Sequence, residues 1–171
     1  MLPLFVLHFE DIDADGVAIQ KTPTVLEELV DTVLVRFQKL HPGVPVEVKL
    51  PDDFIVIPMD SMLIQQVLMN LLENALEANE KAPEGAEKWL RVTMHIRGEY
   101  LYVGVENARF TLVDFDPEEG LYRSTKPDTL HGMGLKSARA TARKYHSELV
   151  LKAADDAFSA STALRLPKTE A

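Results

Sequence analysis

The apolar positions of the chain follow two different periods, and the switches between them mark out its elements. Residues 16–22 alternate apolar and polar side chains like a half-buried strand. Val25, Leu26, Leu29, Val30, Val33, Leu34 and Phe37 then recur at three- and four-residue steps, the period of a helix with one buried face. Thr22-Pro23 supplies a helix-start signal and His41-Pro-Gly43 a stop. Val44, Val46, Val48 and Leu50 next fall on one side of a strand, and Phe54-Ile-Val-Ile57 reads as another after the Pro51-Asp-Asp turn. We assign no chemistry to this part of the chain.

The longest helical pattern runs from Asp60 to Asn79. Ile64, Val67, Leu68, Leu71, Leu72 and Ala75 form its apolar face, and Asp60 is placed to cap its start. Beside that face runs a second stripe, Gln66, Asn70 and Asn74, repeating every four residues along one edge of the same helix. Asparagine is a mediocre helix former because its amide competes for backbone hydrogen bonds, so a repeated pair costs stability unless the amides hold something. A hydrated magnesium ion with its phosphates fits, since amide oxygens are hard neutral ligands and Mg²⁺ takes a few of them plus water. The plainer reading is the surface edge of a core helix, with Glu73 as charged surface.

Lys81-Ala-Pro-Glu-Gly85 breaks the pattern, and two strands follow around a Gly98-Glu99 turn. Leu90, Val92, Met94 and Ile96 share one face of the first, and Leu101, Val103 and Val105 one face of the second. His95 falls on the opposite, wetter face and receives no role. The second strand ends at Glu106-Asn107, where the asparagine either closes a strand before a turn or presents an amide to a ligand. Further on, Leu130-His131-Gly132-Met133-Gly134-Leu135-Lys136-Ser137 reads as a loop, a glycine pair and a helix start. Glycines at 132 and 134 allow close approach of backbone to an anion, and the helix start offers free N–H groups and a positive dipole end. In that helix Leu135, Ala138, Ala142 and Tyr145 face inward, and Lys136, Arg139, Arg143 and Lys144 largely outward. Leu149-Val-Leu151 and Phe158 to Leu166 read as a closing hairpin around Asp155-Asp156.

Composition narrows the class. The 171 residues, 46 % hydrophobic, suit one soluble globular domain, and no apolar run approaches membrane-spanning length. There is no cysteine, hence neither disulfides nor thiolate metal sites, which fits the cytosol. A net charge of −9 argues against a general nucleic-acid binder. The charge is uneven: residues 1–60 carry −7, residues 61–131 carry −5, and residues 132–171 carry +3, a local positive field beside the glycine pair.

Asn70-Leu-Leu-Glu-Asn74-Ala-Leu-Glu77 resembles the asparagine box of the histidine-kinase-like ATPases, the superfamily that includes sensor kinases, gyrase and mismatch-repair proteins. Gly132-x-Gly134-Leu135-x-Ser137, opening a helix some way beyond it, resembles the second glycine box of the same family. The resemblance implies that Asn70 and Asn74 face the triphosphate and position magnesium, and that Asn107 reads adenine where most members carry an aspartate followed by glycines. It implies a mobile lid around Ser124-Thr125-Lys126, with Lys126 and His131 contacting phosphate and Gly132, Gly134, Leu135 and Lys136 forming the phosphate-side end of the nucleotide site. From Thr22 to Asp60 the chain looks most like potassium-sensing kinases, and from Val105-Glu-Asn107 onward like receptors for quorum-sensing peptides, which suggests a divergent or composite chain. Related kinases usually have two glycines after the tyrosine at position 145. His146-Ser147 here implies a left-handed residue strained by about 1 kcal/mol and an altered helix cap.

The expected fold is α/β: a two-layer sandwich of a mixed, mostly antiparallel sheet with about three helices on one face, the Bergerat-type ATP-binding fold. Residues 1–15 are expected as a linker or preceding segment, 16–167 as the ATP-binding domain and 168–171 as a tail. The implied function is that of a cytoplasmic sensor-kinase catalytic domain, which binds Mg-ATP and donates the γ-phosphoryl to a histidine on a separate dimerising helical domain, with a response regulator as indirect partner. No His-Glu-x-x-x-Pro acceptor motif occurs in the chain. This fragment itself is expected to contact neither membrane nor nucleic acid. Two alternatives remain at this stage: a degenerate docking module of the same fold, and a serine kinase of the anti-sigma-factor type.

Overall fold

The structure, a computed structural model, describes residues 10–12, 18–110, 115–116, 121–122 and 133–165. Its first elements are two short strands, β1 (Glu10–Ile12) and β2 (Ala18–Gln20), paired antiparallel, so that β1 lies within the residues expected as a linker. β3 (Thr22–Val25) follows, then helix α1 (Leu26–Leu40). The expected helix start at Thr22-Pro23 is therefore corrected: these residues pair antiparallel with β5 (Val56–Met59), Thr22 opposite Met59 and Val25 opposite Val56. A proline serves a short edge strand as well as a first helical turn, and pairing with β5 decides between the two. Helix α1 starts without a side-chain cap, while Leu26 N–H donates to Ile55 C=O at 3.0 Å and so continues the ribbon ladder into the helix. The strand expected over Phe54–Ile57 lies two residues later, and Phe54 is 72 % exposed.

The main sheet has five strands in the order β10-β11-β7-β6-β4. β4 (Val46–Lys49) runs parallel to β6 (Leu90–Arg97), and the other neighbours are antiparallel: β6 with β7 (Tyr100–Ala108), β7 with β11 (Ala157–Arg165), and β11 with β10 (Val150–Ala153). The sheet is thus mixed and mostly antiparallel. Gly98 has φ +61° at the first position of the two-residue β6–β7 turn, a conformation glycine adopts without steric cost. Between β7 and the last helix lie the two-residue strands β8 (Phe115–Asp116) and β9 (Leu121–Tyr122), paired with each other.

One face of the sheet carries the core. Leu90, Val92 and Met94 of β6, Leu101, Val103 and Val105 of β7, and Phe158, Ala160 and Leu164 of β11 are all buried. Helix α2 (Ser61–Glu80) lies on this face, with α1 and α3 (Met133–Lys144) packed along it. The α2 segment forms because twenty residues contain neither glycine nor proline, and because Asp60 Oδ1 accepts the Leu63 N–H at 3.2 Å as N-cap. Its stripe of Ile64, Val67, Leu68, Leu71, Leu72 and Ala75 is buried as the periodicity requires, each leucine gaining about 1.5–3 kcal/mol from burial. Ile96 departs from expectation and is 39 % exposed, next to the turn that ends its strand. Tyr145 and Leu149 close the core from the α3 side.

Candidate functional site

The site is organised by the polar edge of α2. Asn70 and Asn74 lie one turn apart and are half-buried, and among the described residues neither side chain has a hydrogen-bond partner. Gln66, a turn earlier on the same stripe, is exposed. Helix α3 crosses beside this edge, and a methyl group on Gly134 would lie 3.7 Å from the Asn70 Cβ and 4.0 Å from its Cγ. Two motifs distant in sequence are thus brought into contact, asparagine amide against glycine backbone. Leu135 turns into the hydrophobic core and Lys136 is exposed. Lys126, His131 and Gly132 lie outside the described residues.

Asn107 occupies the end of β7, opposite Leu90 on β6 and Phe158 on β11, and is only 2 % exposed. Its side chain lies on the same sheet face as Val103 and Val105, the face that α2 covers. The Nδ2 group donates to the Ala108 carbonyl at 2.8 Å. That bond fixes the amide and leaves Oδ1, an acceptor, uncommitted among the described residues.

Three further contacts hold the edge of α2 in place, and none was assigned from sequence. Asp60 N–H donates to Tyr145 Oη at 2.7 Å, so the residue that ends α3 also fixes the start of α2. His41 Nε2 lies 2.8 Å from Glu73 Oε1, and the His41 ring sits against Phe37 at a centroid distance of 4.9 Å. Glu73, expected as plain charged surface, therefore ties the end of α1 to the middle of the asparagine box. Asn79 is 5 % exposed, with Nδ2 donating to the Trp89 carbonyl at 3.1 Å and Oδ1 buried without a partner among the described residues. The signal for Asn79 was legible, because it continues the apolar Leu72–Ala75 stripe; nothing in the sequence announced the other two contacts.

The shifted acid-base groups lie on the other face of the sheet. Arg91 donates to Glu47 Oε2 at 2.8 Å and reaches Glu106 Oε2 at 3.5 Å. The hydrogen bond from Arg91 holds the Glu47 carboxyl below its ordinary range, and the same bond raises the Arg91 guanidinium, each against an opposing effect of burial. His95, placed on this face as expected, stacks on Tyr102 at 4.8 Å.

The oxygen donors on the α2 edge are neutral amides, and among the described residues no group of three or more His, Cys, Asp or Glu is placed to hold a metal. This donor set suits Mg²⁺ that keeps much of its water and arrives on a polyphosphate, and does not suit an all-protein cage.

Residues 59–165 match the family described as the GHKL domain. The chain belongs to this family. The sensor protein KdpD of Escherichia coli is 33 % identical over 102 residues, covering 58 % of this chain and 10 % of KdpD. The KdpD of Clostridium acetobutylicum is 33 % identical over 76 residues, covering 44 % of this chain and 8 % of that protein. The chain thus spans about a tenth of the length of these curated relatives. Among solved structures, the catalytic domain of histidine kinase ThkA superposes with a TM-score of 0.66 at 21 % identity, covering 85 % of this chain and 95 % of that one. The Acinetobacter baumannii histidine kinase AdeS gives 0.65 at 14 % identity, covering 92 % and 73 %. ThkA in complex with the response regulator TrrA also matches, with a TM-score of 0.66 at 19 % identity, covering 86 % of this chain and 42 % of that one. This GHKL domain therefore has the fold of histidine kinase catalytic domains. Among its described residues no helix is long and apolar enough to cross a membrane.

Proposed function

We propose that this GHKL domain binds Mg-ATP between α2 and the segment leading into α3, and donates the γ-phosphoryl group to a histidine on a separate, dimerising helical domain. The observation that carries the reading is the contact between Asn70 and Gly134, which sets an amide of α2 without a partner among the described residues beside glycine backbone at the start of a helix. Asn70 and Asn74 position the metal and its phosphates through their Oδ1 atoms. Gly132 and Gly134 let backbone N–H groups approach phosphate oxygens, at the start of the helix that continues with Leu135 and Lys136, and Lys126 and His131 add phosphate contacts. Magnesium, when bound, supplies charge neutralisation on the β- and γ-phosphates. The chain's own contribution is positioning and electrostatic complementarity, because phosphoryl transfer needs little covalent chemistry from the protein.

Asn107 reads the base. With Nδ2 committed to Ala108, it offers Oδ1 as an acceptor to the 6-amino group of adenine, a position at which guanine carries a carbonyl oxygen, itself an acceptor. A neutral acceptor is roughly half as strong as the carboxylate it replaces. The acceptor histidine belongs to the partner domain: its ring nitrogen bonds to the γ-phosphorus, the bond from phosphorus to the bridging oxygen breaks, and ADP departs. A response regulator then takes the phosphoryl group from that histidine. The same partners would place the domain in the cytoplasm, as part of a sensor.

Calorimetric titration of Mg-ATP into the chain and into Asn74→Ala, with and without EDTA, tests the reading. Binding by the native chain that weakens strongly in the variant and without metal, with GTP binding more weakly than ATP, is the expected result. Absence of binding at millimolar nucleotide would overturn it and leave a docking module of the same fold.

A further inference from the structure

In the two-stranded ribbon formed by β3 and β5, the strand β5 alternates between an outward and a buried side. Ile57 and Met59 turn inward and are 5 % and 1 % exposed. The register sets Pro23 opposite Pro58 and Val25 opposite Val56, and paired residues two apart share a face, so these four apolar side chains form the outward side together. Pro23 is exposed, Val56 is 47 % exposed, and Phe54, two residues before Val56, is 72 % exposed. An isolated exposed valine or phenylalanine needs no explanation, but a contiguous apolar face does.

The backbone of the ribbon limits what can cover that face. Opposed residues of an antiparallel pair either exchange two N–H···O=C bonds or direct those groups away from each other. Pro23 and Pro58 have no N–H, so theirs is the second kind of pair, and the donor is missing at an outward-directed position on each edge of the ribbon. The Leu26 N–H bond to Ile55 C=O, at 3.0 Å and in step with the alternation, agrees with this assignment. Prolines on both edges oppose addition of a third strand. Whatever covers the face would therefore meet side chains and not backbone groups.

Charge specifies the partner further. Glu27 and Glu28 occupy the first turn of α1, one residue beyond Val25, and Asp52 and Asp53 directly precede Phe54. The Leu26–Ile55 bond holds these two acidic pairs at the same end of the ribbon. All four carboxylates are exposed, and among the described residues none has a basic partner; the ion pairs formed by other carboxylates lie elsewhere. We propose that the outward face of the β3–β5 ribbon is a docking surface for a basic amphipathic helix of a protein partner, whose apolar stripe lies on Pro23, Val25, Phe54, Val56 and Pro58 and whose Lys or Arg side chains meet the acidic end. An anionic lipid surface is disfavoured by the same four carboxylates. The surface is independent of the nucleotide site and does not rest on the kinase reading.

The test is an NMR titration of the full chain with a synthetic helical peptide of leucine and lysine, its leucines at three- and four-residue steps. Shifts concentrated in residues 22–28 and 52–58, with affinity falling about tenfold in a Phe54→Ala, Val56→Thr double variant and again in Glu27→Lys, Asp53→Lys, are expected. Both sets of substitutions are on exposed side chains, and an unchanged urea midpoint verifies that the fold is kept. Absence of binding, shifts elsewhere, undiminished affinity in the double variant, or equal binding of a same-composition peptide with scattered leucines would each overturn the proposal. So would binding of phosphatidylserine vesicles through these residues in place of the peptide.

Discussion

Replacing His146 by glycine should stabilise the protein. Helix α3 ends in a Schellman arrangement: Ser147 N–H bonds back to the Ala142 carbonyl at 3.0 Å and His146 N–H to the Arg143 carbonyl at 2.9 Å. The geometry requires a left-handed residue at position 146, and His146 adopts it with φ +54°. The strained residue expected from sequence is present, and the cap expected to be altered keeps the regular hydrogen-bond pattern. A Cβ in this conformation costs about 1–2 kcal/mol. Histidine sits at the low end, being one of the residues that enter this region more readily than most. The greater freedom of glycine in the unfolded chain returns about 0.4–1 kcal/mol of that gain, leaving a net stabilisation of up to about 0.6 kcal/mol. The imidazole forfeits little, since it is exposed and among the described residues has no hydrogen-bond partner. With a urea slope of about 2 kcal/mol per molar, the midpoint should rise by up to about 0.3 M. His146→Ala keeps the Cβ and should not share the gain. Glycine no more stable than histidine, or alanine as stabilising as glycine, would refute backbone strain as the reason.

Other outcomes follow from individual contacts. Asn79→Asp should destabilise by about 2 kcal/mol or more, because it removes the donor to Trp89 and buries a second acceptor, whereas Asn79→Leu removes the unpaired Oδ1 as well and should cost much less; urea midpoints compare the two. Gly134→Ala places its methyl at ordinary contact distance from Asn70, so stability should stay level or rise by up to about 1 kcal/mol, while calorimetry should find weaker Mg-ATP binding. The Glu47 carboxyl is held below its ordinary range by Arg91, so its contribution is present above the unfolded-state pKa and lost as pH falls through the lowered folded value. Acid unfolding of Glu47→Gln should therefore show a shallower loss of stability in that interval, and parallel curves for variant and native chain would contradict the assignment.

The sequence by itself determined the elements whose periodicity is long and unbroken. Asp60–Asn79 reads as a capped helix with an apolar face and an amide edge, and α2 is that helix, because twenty residues of one period outweigh local ambiguity. The β6–β7 hairpin and the burial of Leu90, Val92, Leu101, Val103 and Val105 were likewise legible from alternation and a Gly-containing turn. Short segments were not. Thr22-Pro23 carries a signal for a helix start and is compatible with an edge strand, and only the presence of Val56–Met59 alongside selects the strand. Of the candidate site, the sequence marked Asn70 and Asn74 as an amide stripe unusual in a helix, and named Gly134 and Asn107 through motifs that resemble those of the family. It could not place Gly134 against Asn70, nor join His41 to Glu73 or Tyr145 to Asp60, because these contacts span 32 residues or more and have no local period. Whether Asn107 presents its donor or its acceptor was also a tertiary matter. A buried amide turns toward whichever backbone group needs it, and here that group is the carbonyl of Ala108.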